Sequence, residues 1–182
     1  MTNYDLLATI LEYPQQDFHK KLNAVETQFI VSLNDDEIQN SFCTFANFAR
    51  GKTVEELQEL YVSTFDVNPV CSLYSGVHIF GEDGFRRGMF MARLKQAYLD
   101  HKLDNGLEPP DFIPSIFRLA SRLEDKKEYN DLLSECILGP LSSILNSLND
   151  KSTPYKSILN SVKKLIETQL TASLFQGGSI HV

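Results

Sequence analysis

Apolar residues recur at intervals of three and four positions along most of this chain, which is the spacing of one face of an α-helix. Pro14 ends the first such stripe, and residues 34–37 and 53–56 have the composition of helix N-termini, the second as a capping box. Only residues 77–80 could be extended, and so short a segment cannot build a sheet. The pattern therefore predicts an all-α protein, a single-domain irregular bundle of about eight helices.

Breaks in the periodicity divide this bundle. Between residues 66 and 84 proline and glycine interrupt the stripes, and residues 105–110 form a second, hinge-like loop. Gly139-Pro140 should kink or split a long helix, because proline lacks an N–H and its ring collides with the preceding turn. A length of 182 residues suits one domain. We assign residues 1–170 to it, and residues 171–182, where the apolar pattern fades, to a flexible C-terminal tail.

The charge balance excludes several classes of protein. The 24 acidic residues outnumber 17 Lys and Arg, giving a net charge of −7, which argues against a nucleic-acid partner because phosphate backbones require a basic face. No apolar run approaches the length of a membrane-spanning helix, so no stable membrane insertion is expected. The first residues also lack the basic and apolar segments of an export signal. We therefore expect a cytoplasmic protein.

Patterns typical of catalysis and metal binding are missing from the sequence. Cys43, Cys71 and Cys136 are odd in number and widely spaced, which rules out a disulfide framework and a CxxC zinc site. Cys71 lies in a loop and is the one expected to be accessible. The histidines lack metal-ligand spacing, and no serine lies in a nucleophile elbow. We therefore expect no metal, no cofactor and no enzymatic activity.

The glycine-containing segment 81–88 is the one part of the sequence that suggests a binding loop, and the indication is weak. Its spacing matches neither of the common phosphate-loop patterns, and Glu82 and Asp83 would repel an anion. We expect it to lead into a helix, with Arg86 and Arg87 in solvent or paired to acids. A nucleotide hydrolase that uses this loop remains an alternative, as does a passive helical scaffold subunit of a larger complex.

Four blocks of sequence, in order along residues 4–124, carry a family resemblance. They are Ile-Leu-Glu-Tyr-Pro at 10–14, Tyr-Val-Ser-Thr-Phe-Asp at 61–66, a third block with Leu73-Tyr74, His78, Gly81 and Arg87-Gly88, and Glu-Pro-Pro-Asp-Phe-Ile-Pro at 108–114. Together they resemble the nitrate reductase molybdenum-cofactor assembly chaperones, the NarJ-like branch of the TorD/DmsD superfamily.

The resemblance implies an all-helical cytoplasmic chaperone whose partner is the catalytic subunit of one molybdopterin oxidoreductase. Such proteins bind the N-terminal leader of that subunit, often a twin-arginine signal. They keep the apo-enzyme ready for molybdenum-cofactor insertion before export or membrane docking. Pro109 stands where the family usually has Leu, and Phe112 where many relatives have His or Tyr, so a role of that polar ring does not carry over.

A leader helix needs an apolar groove with a few polar groups that set its direction. Asp66 and Asp111 are expected to meet its basic residues, although each also lies at a predicted helix end and could instead be a cap. His78 is expected as a groove contact or a structural hydrogen bond rather than as a catalytic partner of Asp66. Core packing is the alternative for each aromatic residue. The candidate leader-binding set is Tyr61, Phe65, Asp66, Leu73, Tyr74, His78, Phe80, Arg87, Tyr98, Pro110, Asp111 and Phe112.

The oligomeric state stays open between two possibilities at this point. A monomer is one, and a dimer that exchanges helices across the loop at residues 105–110 is the other, because a long hinge permits such an exchange.

Overall fold

Helices occupy most of residues 3–28, 30–67, 71–148 and 153–176, the part of the chain that the computed structural model describes. Within these ranges no strand forms, and Tyr74 and Phe112 make an isolated antiparallel bridge. The all-α prediction is confirmed. The helices are α1 (Asn3–Leu11), α2 (Phe18–Gln28), α3 (Asp36–Arg50), α4 (Val54–Tyr61), α5 (Ser75–Phe80), α6 (Gly84–Asp100), α7 (Ile113–Ala120), α8 (Lys126–Leu133), α9 (Gly139–Ser147) and α10 (Tyr155–Gln176).

The N-termini of α3 and α4 are capped as the sequence predicts. The Asp35 carboxylate accepts hydrogen bonds from the backbone N–H groups of Glu37 and Ile38 at 3.0 and 3.1 Å. At α4, the Glu56 N–H donates to Thr53 Oγ1 at 3.2 Å and the Thr53 N–H donates to Glu56 Oε2 at 2.8 Å. These bonds satisfy N–H groups that have no partner within the helix.

Two π-helical segments interrupt the regular helices. Ser134–Leu138 joins α8 to α9 directly before Pro140, so the predicted kink at Gly139-Pro140 takes the form of one wider turn. Proline cannot donate a hydrogen bond and crowds the turn before it, and a π turn relieves both constraints. The second π segment, Val62–Asp66, extends α4.

Two local predictions are wrong. Residues 77–80 belong to α5 rather than to an extended segment, and α6 begins at Gly84, inside the segment predicted as a loop. The Asp83 carboxylate supplies the missing start signal, since it accepts from the Arg86 N–H at 3.0 Å. Helix α10 continues to Gln176, and the division into a domain at residues 1–170 and a tail at 171–182 stays a prediction. Residues 177–182 lie outside the described chain, and a flexible tail there stays a prediction.

The core forms where α10 packs on α3 and α1 packs on α7 and α2. The Tyr155 ring of α10 lies 5.3 Å from Phe45 and 4.8 Å from Phe65, which joins three elements in one aromatic cluster. Helix α6 is the least buried long helix: of its 17 residues only Leu94 and Tyr98 are buried. None of the described helices is both long and apolar enough to span a bilayer.

The accessibility predicted for the cysteines is wrong. Cys71 is completely buried, whereas Cys43 is half-buried on α3. Cys136 is buried in the π segment before α9, and burial raises the pKa of its thiol to about 11. Cys71 instead packs into the common core.

Truncation of Leu57 should test this core. Leu57 of α4 is fully buried, whereas Leu60, which the periodicity also places on the buried face, is only half-buried. We expect Leu57→Ala to lower the free energy of unfolding by about 2–5 kcal/mol, because lost transfer energy and a cavity add together. Leu60→Ala should cost about 1 kcal/mol, since part of its surface already faces water. Urea unfolding of both variants gives the comparison, and equal losses would contradict the packing of α4.

Candidate functional site

A cleft of about 420 Å³ opens where four segments that are distant in sequence meet. A hollow of about 220 Å³ adjoins it and shares Glu12, Glu108 and Phe112 with its lining. We refer to the two together as the acidic cleft. A larger and more open depression, about 1090 Å³, lies among α3, α4 and the start of α10 and shares no lining residue with it. The first part of the acidic cleft is lined by Glu12, Tyr13, Gln15, Tyr61, Phe65, Asp66, Leu73, Tyr74, Glu108 and Phe112.

The floor of the cleft belongs to the core. Tyr61, Phe65, Leu73 and Phe112 are each buried, and the Tyr61 and Phe65 rings lie 5.1 Å apart. Tyr13 is 42% exposed, and its ring meets Tyr61 edge-on at 5.6 Å. The alternative of core packing therefore describes these floor residues better than the predicted open groove does. Their outer edges still form the cleft wall.

Tyr74 projects into the cleft from a short antiparallel contact. The Ser75 N–H donates to the Asp111 carbonyl at 2.8 Å, and the Ile113 N–H donates to the Leu73 carbonyl at 2.9 Å. Between these bonds the rings of Tyr74 and Phe112 pack in a tilted arrangement, with their centroids 5.4 Å apart. The Tyr74 hydroxyl then donates to Glu108 Oε2 at 2.8 Å. The phenol thus bridges the floor and the loop that borders the cleft.

A buried ion pair holds this contact in place. Asp111 is completely buried, and Arg87 of α6 donates to it from Nε at 2.9 Å and from Nη2 at 3.4 Å. Gly76 of α5 lies against both groups, and a Cβ there would be 2.6 Å from Asp111 Oδ2. The Asp111 carboxylate already has a basic partner within the fold, and its contact with a basic residue of a leader stays a prediction. Asp111 is not the cap of α7, since Phe112 occupies that position.

Carboxylates dominate the charge of the acidic cleft. Asp66 and Glu108 are exposed at its edge, and Asp104 lies in the adjoining hollow. Burial, then the proximity of Tyr155, Asp66, Tyr74 and Glu108, raises the pKa of Tyr61. Burial also raises the pKa of Tyr74, with Glu108 as the next cause. Both phenols stay protonated at neutral pH, and the cleft presents a negative potential.

Glu12 is held at the cleft by an ion pair with Arg118 of α7. Both guanidinium Nη atoms contact the carboxylate, Nη2 at 3.0 Å from Oε2. Such a bidentate pair fixes the end of α1 against α7. Arg118 is the one cation among the lining residues of the described cleft, so the negative potential is only partly offset.

The other half of the predicted set lies away from the cleft lining. His78 makes a 2.8 Å hydrogen bond with the Ser72 carbonyl, the Tyr98 hydroxyl donates to the Pro110 carbonyl at 2.8 Å, and the Phe80 ring packs on Phe90 at 5.5 Å. These contacts are structural, as is the Arg87 pair. The predicted residues that do not line the cleft are His78, Phe80, Arg87, Tyr98, Pro110 and Asp111.

In the first part of the acidic cleft, sequence reasoning missed the lining residues Glu12, Tyr13, Gln15 and Glu108. The signal for three of them was present, because Glu12 and Tyr13 belong to the Leu-Glu-Tyr-Pro block and Glu108 opens the block at 108–114. Gln15 follows the first block and carries no signal of its own. Helical periodicity selects residues by burial and therefore passes over exposed polar residues at loops.

The segment at 81–88 offers no phosphate site. The Asp83 carboxylate occupies the N-terminus of α6, and it also pairs with the Arg86 guanidinium at 3.5 Å. Arg87 is committed to Asp111. The expectation that these arginines pair with acids is confirmed. The Asp83 carboxylate already occupies the place at the N-terminus of α6 where a phosphate would bind.

The arrangement of the acidic cleft suits recognition rather than chemistry. Its lining combines carboxylates, hydrogen-bonding phenols and apolar walls, and it holds no cysteine, histidine or serine–base pair in its first part. In the described chain no three His, Cys, Asp or Glu side chains are grouped so as to hold a metal ion. A polypeptide with basic and apolar side chains matches this lining.

Comparison with known families identifies the chain. The family model described as nitrate reductase delta subunit matches residues 33–156, more than half of the sequence, and the chain belongs to this family. The resemblance inferred from the sequence blocks is thereby confirmed, although residues 10–14 lie outside the matched range. Membership supports a general role in molybdoenzyme assembly, as a chaperone or assembly subunit rather than a catalytic one, and implies a nitrate reductase catalytic subunit as partner. Among curated proteins none is significantly similar.

Gly76→Ala should test the support of the cleft. The new Cβ would lie 2.6 Å from Asp111 Oδ2 and 2.9 Å from Arg87 Cγ, so the ion pair must shift. We expect a loss of about 2–3 kcal/mol in the free energy of unfolding. Gly88→Ala is the matched control, because no atom lies within 4 Å of a Cβ there and alanine favours the α6 helix. Thermal and urea unfolding that rank the two variants equally would contradict the close packing at Gly76.

Proposed function

We propose that this member of the nitrate reductase delta subunit family binds the N-terminal leader of a nitrate-reductase-like catalytic subunit in the acidic cleft. Binding keeps the apo-form ready for molybdenum-cofactor insertion. In this proposal the protein acts in the cytoplasm, before export or membrane docking of its client. It performs no chemistry of its own, and no cofactor is needed for leader recognition.

The observation that carries the proposal is the convergence of the four sequence blocks. Residues 10–14 contribute Glu12 and Tyr13, residues 61–66 contribute the floor and Asp66, and Tyr74 and Glu108 come from the other two blocks. Blocks that are far apart in the chain share one cleft wall. A common binding task explains this arrangement better than the needs of the core do, because Tyr13, Asp66 and Glu108 are exposed.

The size of the cleft determines how a leader would fit. A volume of about 420 Å³, with about 220 Å³ beside it, holds a few side chains and not a whole helix. We infer that basic side chains of the leader meet Asp66 and Glu108 while an apolar side chain rests on Tyr13 and Tyr74. Exposed charges of this kind accelerate and orient association more than they add affinity.

A passive scaffold subunit is the alternative that family membership leaves in place. It predicts association with the folded catalytic subunit and no affinity for an isolated leader. Peptide binding therefore separates the two functions.

Calorimetry with a synthetic peptide of the client subunit's N-terminus should show binding with a negative heat-capacity change, as burial of apolar surface requires. Asp66→Asn with Glu108→Gln should weaken this binding about tenfold, because two exposed charge contacts are lost. The control, Glu82→Gln with Glu124→Gln, removes the same net charge at exposed positions outside the cleft lining. Equal weakening by both pairs would show that only the net charge matters, and no binding by the wild type would refute leader recognition.

Tyr74→Ala should weaken peptide binding at least about tenfold while the fold persists, since a half-buried tyrosine is a common anchor in interfaces. Tyr74→Phe keeps the ring on Phe112 and removes only the bond to Glu108, so its affinity should lie between those of Tyr74→Ala and the wild type. Leu57→Ala supplies the opposite pattern, with lost stability and retained affinity at temperatures below its unfolding. If Tyr74→Ala abolishes folding, Tyr74→Phe still tests the cleft.

A further inference from the structure

Helix α6 carries an apolar stripe on the face that points away from the core. Its buried residues, Leu94 and Tyr98, lie on one side. On the other side, Phe85 is 78%, Met89 46% and Leu99 61% exposed. Ala92 and Gln96 are also exposed and continue this line. The stripe consists of Phe85, Met89, Ala92, Gln96 and Leu99, at alternating spacings of four and three.

This spacing is that of a coiled-coil seam. A helix in water normally has one apolar face, and a second one indicates a second packing partner. Alternation of four and three residues keeps such a stripe on one side of a straight or gently supercoiled helix. The outward stripe of α6 is therefore suited to another helix rather than to an irregular peptide.

We propose that α6 pairs with α6 of a second copy of this chain, antiparallel and about a two-fold axis. In this register Met89 packs against Leu99 of the second copy, and Ala92 packs against Gln96 of the second copy. The same contacts occur twice, as two-fold symmetry requires. The small Ala92 side chain allows the two helices to approach closely near the axis.

Charge selects this orientation. Arg86 and Asp100 lie on the same flank of the stripe, one near each end of α6. In an antiparallel pair, Arg86 comes opposite Asp100 of the second copy on both sides of the axis. A parallel pair would instead place this flank against the opposite flank of the second copy, which carries Lys95, and would form neither of these ion pairs. Within the chain Arg86 makes only a 3.5 Å ion pair with Asp83, and Asp100 accepts from Gln96, so both groups are exposed and can change partner.

Arg93 opposes the pairing and limits its strength. It lies on the same flank near the axis and would approach Arg93 of the second copy. The pocket between α6 and α8 places Glu128, Asp131 and Glu135 with Arg93 in one lining, which offsets part of this repulsion. A seam of five residues is small, so the association is weak and reversible, at the low end of interface sizes. No α6 residue lines the acidic cleft, and pairing does not depend on leader binding.

Sedimentation of the full chain between about 1 and 300 μM should show a reversible shift from monomer to dimer, as expected of a weak interface. Leu99→Glu should remain monomeric across this range with an unchanged melting temperature, because this side chain faces Met89 of the second copy and is 61% exposed in the single chain. Val31→Glu, at a residue 66% exposed outside α6, is the control and should dimerise as the wild type does. A wild type that stays monomeric throughout overturns the proposal. So does a dimer that survives Leu99→Glu, which would point to helix exchange across residues 105–110.

Charge reversal tests the orientation. Arg86→Asp and Asp100→Arg should each weaken dimerisation several-fold, and the double variant should restore it. The same reversal at the surface pair Asp17 and Lys21, at the start of α2, should change nothing. Failure of the double variant to recover would overturn the antiparallel register.

Disulfide trapping tests the register residue by residue. In a Cys43→Ser background, a mixture of Ala92→Cys and Gln96→Cys chains should form the mixed disulfide dimer under mild oxidation. A mixture of Ala172→Cys, exposed on α10, with Gln96→Cys should not. Equal cross-linking in both mixtures would mean random collision and would overturn the proposed contact.

Discussion

The ion pair between Arg87 and Asp111 sets the geometry on which the rest of the site depends. A fully buried carboxylate is tolerable only with a partner, because its desolvation costs several kcal/mol. The pair therefore ties α6 to the segment before α7, and Gly76 brings α5 against both groups. The hydrogen bonds of Ser75 and Ile113 follow from this approach. They turn the Tyr74 ring onto Phe112 and its hydroxyl toward Glu108. An ion pair outside the cleft lining thus positions the residue that the proposed leader would meet.

The acidic residues around the cleft fall into two groups, those paired with an arginine within the fold and those exposed at the cleft edge. Asp111 and Arg87 cancel within the fold, and Glu12 is held by Arg118. Asp66 and Glu108 remain at the edge with no cation contacting them among the described ion pairs, and there the negative potential reaches water. An acidic chain can therefore concentrate its attraction for a basic segment at one place. In the proposed function, the net charge of −7 would attract such a segment from a distance and the local carboxylates would orient it.

The sequence predicts the helices well wherever periodicity and caps agree. Asp35, Thr53 and Pro140 act locally, and the structure shows them at the expected boundaries. Long-range effects are different. Burial of Asp111 depends on Arg87 and Gly76, and neither spacing nor composition indicates that these residues meet. Likewise the core character of Tyr61 and Phe65 comes from Tyr155, which is distant in sequence. Half of the predicted set reaches the cleft because the family blocks carried that information, whereas periodicity alone could not separate floor from wall.

The orientation of Asp66 in the cleft depends on the number of residues in the π segment Val62–Asp66. A π turn contains one residue more than an α turn, and a residue in a regular helix rotates the chain by about 100°. Phe65 faces the core and Asp66 the cleft edge only because this extra residue is accommodated after Tyr61. An otherwise similar chain shorter by one residue here would continue α4 smoothly and turn the carboxylate toward another neighbour. A single insertion or deletion in this segment can thus redirect the carboxylate while every side chain of the cleft stays the same.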